Sequence, residues 1–177
     1  VTMGMLRALE ALHDHAQRII HRDLNPGNIL LDERFNSYVC DFGEAEFSDN
    51  RSRERKQETT TAPRAVSEYL CPDLDKSSSG PATVHCDLYS VGVILFEMLT
   101  GKKYKTVDKD GELNEFMVRL PKKLRTIISS AVSDDSRTAY RDAEEMLRAV
   151  EHYVADKPNR RLSKIAITVS LILVVIL

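Results

Sequence analysis

The segment from Val84 to Thr100 leaves this chain few choices of fold: the run Leu88-Tyr89-Ser90-Val91-Gly92-Val93-Ile94-Leu95-Phe96 makes it apolar on nearly every face of a helix, and Gly101 follows directly. A helix without a polar face has to be buried all round, and a glycine just past the last apolar position is a C-cap signal. These residues therefore read as the central helix of a domain, and the rest of the chain must supply the shell around it. With 177 residues, 42% of them hydrophobic, there is material for one domain with a substantial core.

Parts of that shell are legible. Leu6, Leu9, Leu12 and Ala16 recur at helical spacing opposite Arg7, Glu10 and Asp14, which predicts an amphipathic helix over about residues 3–18. The stretch Val1 to Met5 has no basic region leading into an apolar one, so it is no signal peptide and reads as a cut inside a helix. Ile29-Leu30-Leu31 and Tyr38-Val39-Cys40, separated by the polar run Asp32 to Ser37, predict two short strands joined by a turn. Beyond the central helix, Glu112 to Leu120 and Lys122 to Val132 read as short helices parted by Pro121. Ala139 to Ala155 reads as another, with Ala143, Met146, Leu147 and Val150 on one face. The expected fold class is mostly α with a small β-hairpin, α+β overall.

Ser48 to about Ser67 is crowded with Arg, Glu, Ser and Thr and lacks apolar periodicity, which predicts a long mobile loop of the kind that is usually functional. The formal net charge of −2, from 25 basic and 27 acidic residues, argues against a nucleic-acid partner. Cys40, Cys71 and Cys86 are far apart in sequence, with no C-x-x-C pair and no histidine at metal-ligand spacing; they read as small buried hydrophobes in a reducing compartment rather than as a redox centre. The chain closes on Ile165 to Leu177, thirteen residues without a charge, preceded by Lys157, Arg160, Arg161 and Lys164. A full span needs about twenty residues, so this run reads as the truncated start of a transmembrane helix. Its basic flank puts the preceding domain on the cytoplasmic side of a single-pass protein.

The chemistry-bearing residues gather in two clusters: His21-Arg22-Asp23-Leu24-Asn25-Pro26-Gly27-Asn28 and, thirteen residues after Asn28, Asp41-Phe42-Gly43. The pair resembles the catalytic loop H-R-D-x-x-x-x-N and the D-F-G of eukaryotic-type protein kinases. The chemistry that this resemblance implies explains the residue types: one carboxylate must meet an attacking hydroxyl, while an amide and a second carboxylate must hold Mg²⁺ against phosphates. Two later stretches are similar to further kinase motifs: Glu68-Tyr69-Leu70-Cys71-Pro72-Asp73 to the end of the activation segment, and Asp87-Leu88-Tyr89-Ser90-Val91-Gly92 to the opening of the central helix.

The resemblance implies a protein kinase-like fold, C-terminal lobe only, over residues 1–155, with 156–164 a basic linker and 165–177 the truncated membrane helix. It implies ATP and Mg²⁺ as cofactors and a protein as substrate. Asp23 would be the base, Asn28 and Asp41 the metal ligands, and Phe42 and Gly43 would help bind the nucleotide. Arg22 would pair with a phosphorylated loop residue, with Thr59, Thr60 and Thr61 as candidates, Arg137 with Asp73, and Asp87 would receive backbone N–H groups of the catalytic loop. Pro26 favours the serine/threonine branch, and the membrane segment after the kinase domain resembles the layout of bacterial receptor-type kinases. A second copy of the chain is a further candidate partner.

Two departures set up a rival. The family has lysine where this chain has Asn25, the third residue of the catalytic set, and threonine where it has Val66. The chain also contains no Gly-rich loop, no strand lysine and no partner glutamate helix, so residues 1–155 alone are expected to bind ATP poorly and transfer no phosphate. The readings are an active membrane-anchored kinase, a catalytically weak pseudokinase scaffold, and a small-molecule phosphotransferase of related fold, the last disfavoured by the Tyr69 to Asp73 segment.

Overall fold

The structure, a computed structural model, describes residues 1–47, 68–72 and 83–156. Six helices and two small antiparallel sheets follow in chain order among them. Helix α1 (Thr2–His13) leads into β1 (Ile19–Ile20), a 3-10 turn (Pro26–Asn28), β2 (Ile29–Leu31), β3 (Ser37–Val39) and β4 (Glu46–Phe47). Then come α2 (Val84–Thr100), α3 (Tyr104–Lys109), α4 (Leu113–Arg119), α5 (Lys122–Ala131) and α6 (Ala143–Ala155). The fold is mostly helical with a small hairpin, as the sequence predicts.

Helix α2 is the hub. Leu88, Val91, Val93 and Phe96 have no more than a trace of exposure, and Gly101 caps the helix in the left-handed region at φ 68°. The apolar stripes of its neighbours turn toward the same core: Leu124, Ile127, Ile128 and Ala131 on α5, and Ala143, Met146, Leu147 and Val150 on α6, both at the i, i+3, i+4, i+7 spacing of one helix face. Full burial of each large aliphatic or aromatic side chain stabilises the fold by about 1.5–3 kcal/mol. Helices α2 and α5 approach so closely at Gly92 that a Cβ there would lie 2.6 Å from the Ala131 Cβ. Glycine is therefore a packing requirement at that crossing, not a flexibility device.

Local chemistry moves two boundaries from their sequence-based positions and adds one short helix. Helix α1 ends at His13 rather than near residue 18. His13 turns inward to a buried partner on α2, Ala16 is exposed, and Arg18 adopts φ 46°, which no helix can contain. Helix α6 starts at Ala143 rather than Ala139, because the Asp142 side chain accepts from Glu145 N at 2.7 Å while Glu145 accepts from Arg141 N, a reciprocal cap that fixes the first turn. Helix α3 has no counterpart in the sequence reading. It is a single short helix pinned by Tyr104, whose ring meets Phe96 edge-on at 5.3 Å and Tyr89 at 6.5 Å. That burial pushes the Tyr104 hydroxyl up to about 12.

The hairpin β2–β3 pairs Ile29 with Val39, Leu30 with Tyr38 and Leu31 with Ser37. Asp32 closes its turn: Oδ1 accepts from Arg34 N and Asn36 N, which hold the carboxyl below the usual carboxylate range together with the Asn36 amide, the largest contributor. The second ladder, Ile19 with Phe47 and Ile20 with Glu46, is only two residues long, too short for any periodicity to reveal. Among the described residues no helix is long and apolar enough to cross a membrane. The expected loop over 48–67, with Thr59, Thr60, Thr61 and Val66, lies outside the described residues. So do Asp73, the linker from Lys157 onward and the apolar run Ile165 to Leu177.

Candidate active site

The two sequence clusters meet at one end of the β2–β3 hairpin. Asn28 immediately precedes β2, and Cys40, just after β3, donates its N–H to Asn28 O at 3.0 Å, so Asp41 emerges beside Asn28 at the mouth of the ladder. The thirteen-residue separation is the length of a hairpin that folds back on itself. Asp23, Asn28 and Asp41 are thereby carried by adjacent backbone segments.

Below this mouth the loop from His21 to Asn28 rests on α2. Asp87, in the first turn of α2 and fully buried, accepts three hydrogen bonds at 2.9 Å: His21 N and the His13 ring Nε2 on Oδ2, and Arg22 N on Oδ1. The predicted link from Asp87 to the loop backbone is present. Sequence reasoning did not assign His13 to it, although a histidine at the end of an apolar helix face was visible. A buried carboxylate needs this many donors, since each unsatisfied charged bond in the core is costly. The same bonds hold Arg22 at φ 68°, a conformation that disfavours side chains bearing a Cβ and persists only where the surroundings impose it.

His21 is also buried, donates from Nε2 to Cys40 O at 3.1 Å, and packs its ring against Phe42 at 5.1 Å between centroids. One residue therefore ties the His21 to Asn28 loop to the segment leading into Asp41. The side chain of Arg22 reaches β4, where its Nη1 donates to Glu46 Oε2 at 2.6 Å with both side chains largely covered. The resemblance implies a phosphorylated partner for Arg22; among the described residues Arg22 pairs with the Glu46 carboxylate.

Around Asp23, Asn28 Nδ2 donates to the backbone oxygen at 2.8 Å and to Oδ2 at 3.1 Å. This fixes the Asn28 amide so that its oxygen is left for a ligand, and it orients the Asp23 carboxylate. Asn25 is used differently: its Nδ2 donates to Asp23 O at 3.1 Å and its Oδ1 accepts from Gly27 N at 2.9 Å, capping the 3-10 turn. Both of its polar ends are engaged with the loop backbone. Asp41 is exposed, sits at φ 61°, and accepts from Gly43 N at 3.2 Å. The amide oxygen of Asn28 and the carboxylate of Asp41 are oxygen donors of the kind that a hard divalent cation such as Mg²⁺ would take together with water and phosphate oxygens. The residues present fit the cation implied by the resemblance.

Tyr69, Leu70 and Cys71 are buried against α2, where Ser90 Oγ donates to Tyr69 O at 2.8 Å and the Tyr69 hydroxyl donates to Glu97 Oε2 at 2.8 Å. Desolvation is the main cause that raises the Tyr69 hydroxyl above its ordinary range. Arg137 pairs with Asp135 at 2.7 Å in an exposed turn.

Comparison with known proteins agrees with this geometry. A family model described as protein kinase domain matches residues 1–171. The chain is 42% identical over 104 residues to the receptor protein-tyrosine kinase CEPR1 of Arabidopsis thaliana, covering 58% of this chain and 10% of that one. Identity to the probable LRR receptor-like serine/threonine-protein kinase RKF3 of the same plant is 39% over 113 residues, 63% of this chain and 17% of the relative. The proline-rich receptor-like protein kinase PERK12, also from Arabidopsis, is 32% identical over 155 residues, 87% of this chain and 20% of the relative. The chain thus spans between about a tenth and a fifth of these curated relatives. Being plant proteins, they lend no support to the bacterial layout suggested by the C-terminal run.

Proposed function

The chain belongs to the protein kinase domain family, and on that premise we propose that it forms the catalytic lobe of a protein serine/threonine kinase that transfers the γ-phosphate of ATP to a protein hydroxyl. The observation that carries this reading is the seating of Asp23. Its carboxylate is oriented by Asn28, and its loop is clamped from below by Asp87. Asp23 accepts the proton of the incoming hydroxyl as the oxygen attacks phosphorus. Asn28 and Asp41 would hold Mg²⁺, which when bound would supply charge neutralisation for the nucleotide phosphates. Pro26 supports the serine/threonine branch, and the basic residues before the uncharged Ile165 to Leu177 support attachment to a membrane with the kinase on its cytoplasmic side.

One observation favours a second reading, a weak kinase or pseudokinase scaffold. Asn25 replaces a phosphate-facing cation and has its amide engaged by the loop backbone instead, and loss of a positioned cation costs a phosphoryl transfer several kcal/mol, on the order of 3. Incubating the full-length protein with labelled ATP, Mg²⁺ and a mixed protein substrate, followed by phosphoamino-acid analysis, separates the two. Label on serine or threonine is the expected result. Mg²⁺-dependent nucleotide binding without any label would establish the scaffold.

A further inference from the structure

Cys71 and Cys86 are fifteen positions apart in sequence, yet their sulfurs lie 2.7 Å from each other. Cys71 precedes Pro72 in the segment buried against α2; Cys86 is in the first turn of α2, one residue before Asp87. Neither thiol has a part in the phosphate-transfer geometry described above. Two sulfurs packed at this distance are about 0.7 Å from disulfide bonding length, a gap that small side-chain rotations can close.

We infer that Cys71 and Cys86 form a peroxide-oxidisable dithiol, a modification site that can lock the Tyr69 to Cys71 segment covalently onto the helix that carries Asp87. The two sulfurs are inequivalent. Cys71 Sγ donates to Cys86 Sγ, and Thr83 Oγ1 lies 3.7 Å from the same sulfur at the start of the helix. The hydrogen bond from Cys71, offset in part by burial, brings the Cys86 thiol down to about 7, within reach of neutral pH. Cys86 is therefore the attacking group and Cys71 the resolving one.

The oxidant is a hydroperoxide, hydrogen peroxide in the simplest case. The Cys86 thiolate attacks one peroxide oxygen, breaking the O–O bond to give a sulfenic acid and hydroxide. The Cys71 sulfur then attacks the Cys86 sulfur, its proton leaves with the hydroxyl, and water departs as the S–S bond forms. In balance the two thiols give up two electrons and two protons, and one peroxide becomes two waters. Both residues are nearly fully buried, at 1% and 4% exposure, so the reaction is paced by local opening and should be slow beside that of a surface thiolate.

The first arm of the test needs no substitution. The full-length protein is exposed to hydrogen peroxide at neutral pH, alkylated, and digested with trypsin, which places Cys71 in peptide 65–76, Cys86 in peptide 77–102 and Cys40 in peptide 35–51. The expected result is a peptide 65–76 linked to 77–102, with Cys71 and Cys86 lost from alkylation together and restored by dithiothreitol. In Cys71→Ser, which keeps a donor beside Cys86 but no resolving sulfur, the oxidation should stop at a dimedone-reactive sulfenic acid on Cys86. Independent oxidation of either sulfur to sulfinic acid without the link would overturn the inference, as would retention of both thiols after Cys40 has reacted.

Discussion

Two aspartates of the candidate site make opposite use of the same side chain. Asp87 is fully buried and meets three donors, while Asp41 is exposed and meets a single backbone N–H two residues along the chain. The difference separates a foundation from a working surface. The underside of the His21 to Asn28 loop is fixed by charge-assisted bonds to the buried first turn of α2. The upper end, where Asp41 emerges, is left open, with Phe42 beside it exposed. A carboxylate that is to receive a cation and phosphates has to keep its lone pairs unspent, and one that is to hold a loop has to spend them.

Identical substitutions at the two positions should therefore give very different results. Asp87→Asn puts an amide NH2 in place of one carboxylate oxygen, against the N–H of either His21 or Arg22 inside the core, and should cost about 3 kcal/mol of stability; a denaturant midpoint within error of the parent would break the comparison at its base. Gly92→Ala disturbs the same foundation from the far side of α2. The added methyl meets Ala131 at a distance the packing cannot hold, so a net loss of about 1–2 kcal/mol is expected even after the helix-propensity gain. Asn25→Ala removes the cap of the 3-10 turn and should cost about 1 kcal/mol; no loss at all would mean that the amide serves the ligand and not the loop. Asp41→Asn should change stability by less than about 0.5 kcal/mol, because asparagine tolerates the left-handed backbone and the site is exposed, while Mg²⁺-dependent nucleotide binding by the full-length protein falls at least about tenfold.

Much of the foundation could be read from the sequence, because burial leaves a strong pattern. The apolar run of α2 with its Gly101 cap, the two strands around Asp32 to Ser37, and the role of Asp87 all came from residue type and spacing, the last through a family resemblance. Features held by single long-range bonds left no such trace. The end of α1 is decided by His13 reaching Asp87, the start of α6 by the Asp142 cap, and α3 by one tyrosine wedged between two rings. The placement of the candidate site was legible, but two of its details were not. Glu46 as the partner of Arg22 depends on a two-residue ladder, and the closeness of Cys71 and Cys86 depends on a segment lying back across α2.

The central claim is that Asp23 is a catalytic base seated on a prebuilt foundation. The measurement that tests it most directly is the rate of phosphate transfer from labelled ATP with Mg²⁺ by the full-length protein and by Asp23→Asn, with unfolding curves of both recorded alongside. The account predicts that transfer falls by about a hundredfold or more while the unfolding midpoint stays within about 1 kcal/mol of the parent. Equal rates in the two proteins would contradict it.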